Sequence, residues 1–175
     1  MEQIGERQQE IEHLGNFPPI CIFPEGGTSN GHYLMHFKRG AFASNRASKP
    51  VVLKYIWSTL SPAWEVIPFM PLAIMQFSLF YVKCEVIELP IFIPNDYLFE
   101  THANKGTERW EIYAWAVREA MSTASGLPKN ELPFKEKMAY EVVLGYKKER
   151  KNNYNKSEQE PLLKEMKEQS YNAAV

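Results

Sequence analysis

The stretch Phe23-Pro24-Glu25-Gly26-Gly27-Thr28-Ser29-Asn30-Gly31 gathers residue types that can hold a phosphate. Glycine-rich backbone offers N–H donors, Thr28 and Ser29 add hydroxyls, and Lys38 and Arg39 follow with the positive charge an anion needs. Gly26 and Gly31 have the separation of a nucleotide-binding P-loop, but His32 stands where its lysine belongs and Tyr33 where its Ser or Thr belongs, so that loop is excluded. On spacing alone, a surface turn rich in Gly, Ser and Asn is the leading reading. His32 and His36 are the nearest candidate bases, yet neither has a carboxylate at a spacing that would orient it. Each reads as a solvated or hydrogen-bonded side chain, with a phosphate contact as the second reading for His32. Cys21 and Cys84 have no metal-ligand spacing with each other or with a histidine, so no metal site is assigned. Both lie in apolar strand patterns and are expected to be buried thiols.

These residues need a frame. Ile20-Cys21-Ile22-Phe23 is a short apolar run stopped by Pro24 and two glycines, the pattern of a buried strand entering a turn. Pro50 to Trp57 is β-branched and aromatic, a second strand. Tyr81 to Leu89 alternates Val82, Cys84 and Val86 with Lys83 and Glu85, as a half-exposed strand does. Thr107 to Ser125 is the clearest helix: Trp110, Tyr113, Ala114, Val117 and Met121 share a face, Thr107 is placed to cap it, and Gly126 and Pro128 end it. Ile4, Ile11 and Leu14 mark an amphipathic helix over 1–16, closed by Gly15. Alternating strands and helices predict an α/β fold with a mixed sheet.

At 175 residues the chain is the size of one domain, and 45% hydrophobic with 23% charged residues is a globular composition. A net charge of −1 argues against general nucleic-acid binding. The polar, glutamate-rich start does not read as a signal peptide. The body ends near Tyr146, and 147–175, rich in Lys, Glu, Gln and Asn, reads as a charged, mobile tail with a short helix around Leu162 to Met166. Glu158 with Leu162-Leu163 matches a loose acidic-dileucine pattern, to which no function is assigned. Val66 to Val82 carries no charge and holds Pro68 and Pro71. It admits three readings: a buried core helix, an interfacial membrane segment, or a spanning helix for which it is short.

Phe-Pro-Glu-Gly followed by small hydroxyl residues and Asn, then Phe37-Lys38-Arg39-Gly40-Ala41-Phe42 and Pro50-Val51-Val52-Leu53-Lys54-Tyr55, closely resembles the PlsC-type glycerolipid acyltransferases, nearest the eukaryotic lysophosphatidylcholine acyltransferases. The resemblance runs from the first helix through these blocks and Lys83–Pro94 to the helix Trp110–Leu127. It implies an α/β fold with a mixed sheet flanked by helices, of which 1–146 would be the C-terminal part of an acyltransferase domain. It implies transfer of a fatty acyl group from acyl-CoA, a co-substrate and not a bound cofactor, to the free hydroxyl of a lysophospholipid. It further implies work at a membrane surface, with the endoplasmic reticulum as the expected compartment. By the same resemblance Glu25 and Gly26 help bind the acceptor's glycerol phosphate region, and Lys38 and Arg39 lie near its phosphate. Gly27 stands where the family has a threonine, with Thr28 and Ser29 next to it.

The family's catalytic pair is His, four residues, then Asp, the histidine taking the hydroxyl proton and the aspartate orienting it. The 21 acids here include a single aspartate, Asp96, and Ile91 stands five positions before it. His13, His32, His36 and His102 are followed at that spacing by Pro18, Phe37, Ala41 and Thr107, so no catalytic residue is assigned. The expectation is a portion of an acyltransferase that alone transfers no acyl group, its other half preceding it or supplied by a partner chain. The alternative is a non-catalytic lipid-binding or scaffold subunit derived from that family.

Overall fold

Val51–Ile56 (β1) and Lys83–Glu88 (β2) pair antiparallel, with Val52 opposite Ile87 and Lys54 opposite Glu85. The computed structural model describes residues 2–14, 18–57, 60–63, 67–131 and 164. In chain order the elements are a helix Glu2–Leu14 (α1), β1, a helix Phe69–Phe77 (α2), β2, a helix Asp96–Thr101 (α3) and a helix Arg109–Ser125 (α4). Helices and sheet make a mixed α/β chain as expected, and the sheet among the described residues is this antiparallel pair. The tail, its dileucine, the expected helix around Leu162 and the closing Gly15 lie outside the described residues, Lys164 apart.

α4 organises the packing. Its period of apolar positions buries Ile112, Tyr113, Ala114, Val117 and Met121 against Val52, Phe37, Phe42 and Phe99, with Trp110 packed at the edge of the cluster. Gly126 closes it in the left-handed conformation (φ 68°), where a residue without Cβ is unstrained. The cap is Glu108, not Thr107: Glu108 and Glu111 form a reciprocal capping box, and the Thr107 hydroxyl instead donates to Glu111 Oε2 at 3.0 Å. A glutamate pair at that spacing satisfies more of the orphan N–H groups than one threonine can. Tyr113 is fully buried, and its hydroxyl lies 2.8 Å from both the Arg46 carbonyl and Ser48 Oγ. Burial raises its pKa above the usual phenol value.

Four expectations fail, and for related reasons. Ile20–Phe23 is not a strand and is largely exposed, because no described strand lies beside it to pair. Cys21 and Cys84 are exposed, not buried. In β2 the apolar positions Val82, Cys84 and Val86 point to the open face, since register with β1 sends Ile87 toward α4 alongside Val52. Val66–Val82 is no core helix either: of α2 only Leu72 is buried, and no helix among the described residues is long and apolar enough to cross a membrane.

Candidate functional site

The loop forms from local rules. Pro24 presets the second position of a turn in which the Gly26 N–H donates to the Phe23 carbonyl at 3.1 Å. The Lys38 N–H donates to the Pro24 carbonyl at 2.7 Å, and the Met35 N–H donates to Glu25 Oε1 at 3.2 Å. The chain thereby doubles back, and Glu25 braces the turn against the segment behind it. Gly26 has φ 67°, and a Cβ there would stand 2.5 Å from Lys38 Cδ. Lys38 therefore lies across the turn because Gly26 leaves the room, and its Nζ donates to the Gly26 carbonyl at 3.3 Å. Further on, Ser29 Oγ accepts from the Gly31 N–H at 3.3 Å and Asn30 Oδ1 from the His32 N–H at 3.1 Å, two side-chain turns in succession.

The loop leads into a cleft. His32 leans on Trp57 with ring centroids 5.4 Å apart, and Gly31 (φ 75°) brings the backbone close to the same indole. Asn30, His32 and Ser61 give one side of a cleft of about 300 Å³ its polar groups, and Trp57, Leu60 and Ile67 give it apolar walls. That volume is at the low end for a ligand site, and the mixture of an apolar wall with a few polar groups is the usual composition of one.

Glu25, Gly26 and Lys38 are thus brought together, with Gly27, Thr28 and Ser29 on the same loop. Arg39 turns elsewhere: its guanidinium sits 3.5 Å from Glu108 at the start of α4. His36 faces Glu131 at 3.4 Å, and Asp96 pairs with Arg109 at 2.9 Å. Asp96 therefore contributes to joining α3 and α4, with Asn95 capping α3 through the Leu98 N–H. Two features went unnoticed in the sequence. Arg118 is buried on α4 and donates to the carbonyls of Leu34 (2.9 Å) and Asn130 (2.5 Å), clamping the strip behind the loop to the chain that leaves α4. Its place four residues after Ala114 and three before Met121 was the available signal. The cleft wall at Trp57 and Ser61 gave none, since it forms only when the loop folds against β1's end.

The loop thus sets a lysine across a glycine turn, and its Asn30 and His32 line a small amphipathic cleft on an α/β frame. A lysophospholipid acyltransferase of Arabidopsis thaliana is 33% identical over 141 residues, covering 81% of this chain and 33% of that protein. Lysophosphatidylcholine acyltransferase 2 of Homo sapiens is 33% identical over 116 residues, 65% of this chain and 20% of its own length. A lysophosphatidylcholine acyltransferase of Drosophila melanogaster is 31% identical over 123 residues, 69% and 22% respectively. The chain belongs to this acyltransferase family as a partial member, spanning a third or less of the length of these relatives. No protein-family model and no solved structure matches it.

Proposed function

We propose that these residues form the acceptor-binding part of an acyl-CoA-dependent lysophospholipid acyltransferase acting at a membrane surface, with the endoplasmic reticulum as the compartment. The observation that carries this is the Lys38 ammonium held across Gly26, on the loop that carries Thr28 and Ser29 and whose Asn30 and His32 line the cleft. Lys38 meets the acceptor phosphate, Thr28 and Ser29 donate to it, and Glu25 keeps the turn in shape through Met35. In the reaction the acceptor hydroxyl oxygen attacks the thioester carbonyl, its proton passes to a base, and coenzyme A leaves as the thiol. That base is not among these 175 residues, because no histidine here has an aspartate at the family spacing. The same absence supports a second reading, a lipid-binding subunit without chemistry of its own.

Lys38→Ala is expected to weaken lysophosphatidylcholine binding by roughly tenfold, the value of one charge-assisted contact. Gly26→Ala weakens it as well, by displacing the Lys38 side chain and straining the turn by about 1 kcal/mol. Isothermal titration of the 175-residue chain measures both, and unchanged affinity in the Lys38 variant overturns the site. Acyl transfer by the chain alone would remove the need for an outside base. Activity restored by adding a His-x-x-x-x-Asp portion favours the enzyme over the subunit.

A further inference from the structure

α2 is apolar almost all round, yet it is exposed. Phe69, Met70, Ile74 and Phe77 all face solvent, Phe77 at 90%, and in the turn that follows Phe80 is 105% and Tyr81 83% exposed. At 3.6 residues per turn the exposed positions cover roughly two thirds of the helix circumference. A helix apolar on nearly every side belongs inside a larger core or in lipid, and no charged residue occurs from 66 through 82. An environment that wraps a helix on several sides and needs no charge is the acyl and headgroup boundary of a bilayer. The helix has nine residues, about 14 Å of rise against a hydrocarbon core of about 30 Å, so it lies in that boundary without crossing. Phe77, Phe80 and Tyr81 cluster at its end, rings of the kind that settle between lipid and water.

The segment also adjoins the cleft. Gln76 Nε2 of α2 donates to the Ser61 carbonyl at 3.1 Å, and Ser61 and Ile67 both line the cleft beside the phosphate-compatible loop. We propose that Phe69 to Tyr81 seats in the interfacial layer of a zwitterionic phospholipid bilayer and holds the mouth of the cleft at the lipid surface. The inference rests on the reading of the chain as part of an enzyme of lysophospholipids, and it assigns the membrane contact to one named segment. A single-chain lipid could then move from bilayer to loop with little of its apolar chain crossing water. The contact is made by apolar groups alone, so added salt leaves it intact.

The test places an environment-sensitive dye on Phe80→Cys in the full 175-residue chain with Cys21→Ser and Cys84→Ser, both native thiols being exposed. Vesicles of phosphatidylcholine are expected to shift the emission to the blue, and lipids with a nitroxide near the headgroup end of the acyl chain to quench it, at low and high salt alike. The same dye on Glu100→Cys, exposed on α3, should not respond. Phe77→Asp should lower vesicle partitioning by roughly tenfold or more, the worth of one inserted ring. Failure to bind, binding without quenching at residue 80, or a blue shift that follows protein concentration and not lipid would each overturn the proposal, the last pointing to a second copy on α2. These vesicles hold neither lysophospholipid nor acyl-CoA, so such a failure leaves the Lys38 site standing, and loss of the Lys38 effect leaves this one.

Discussion

Val51 and Val52 are neighbours of one residue type in one strand, and they live in different surroundings. Val52 is 4% exposed against α4, whereas Val51 is 40% exposed on the other face with Leu53, Tyr55 and Val86. The contrast extends to the molecule. On the α4 side, apolar groups are covered and several polar atoms are tied: Arg118 Nη2 to two carbonyls, Lys54 to the Ser125 carbonyl at 3.3 Å, Tyr113 to Ser48. On the outer sheet face and along α2, side chains just as apolar stand open among the described residues. Residue type alone therefore does not decide burial; the presence of a layer above the residue does. The covered region holds the loop in shape, and the open region is the one whose α2 part carries the proposed bilayer contact.

The largest expected effect is on Arg118. Arg118→Met removes two charge-assisted hydrogen bonds; the Leu34 carbonyl keeps the Asn130 N–H while the Asn130 carbonyl loses its donor, costing about 3 kcal/mol in urea denaturation. Because Leu34 to Lys38 backs the loop, amide exchange at Leu34 and Lys38 should rise with it. If Arg118→Met costs no more than an exposed substitution, the tied side is not what stabilises the site. Next comes the valine pair itself. Val52→Ala should cost about 2 kcal/mol and Val51→Ala less than about 0.5 kcal/mol, although the same atoms are deleted. Equal costs would mean that a further layer covers the outer face in solution.

Much of the covered side was legible in the sequence because α4 repeats its apolar positions at 3.6 residues and stops at a glycine, two signals that agree. The turn was legible too, since Pro24, Gly26 and Lys38 each have one evident use there. The face of β2 was not. Alternation says that Val82, Cys84 and Val86 share a side, but not which side is covered, and that was set by pairing Val52 with Ile87 beneath α4. Ile20–Phe23 misled in the same way, because an apolar run shows the capacity to pair and says nothing of whether a partner strand lies alongside. The cleft needed His32, Trp57 and Ser61 in one place, which no spacing in the chain announces.

The smallest effect separates the two sides by their charges. Glu111, in the capping box of α4, has its pKa lowered below the ordinary 4.5 chiefly by the backbone N–H groups of Glu108 and Thr107. Glu88, opposite Val51 on the outer face, is lowered chiefly by its hydrogen bond and charge pairing with Lys49 at 2.5 Å. Both carboxylates have folded values below their unfolded ones, so each contributes fully above about pH 4.5 and loses its contribution as pH falls through the lowered value. The causes differ in their response to salt. Fixed backbone donors keep their hydrogen bonds to Glu111, while an exposed ion pair is screened. Thermal melts from neutral to acid pH should therefore show a flatter acid limb in Glu111→Gln at low and high salt alike. Glu88→Gln should flatten it only at low salt. An equal loss of both effects in high salt would mean that Glu111, too, is held by charge and not by the start of the helix.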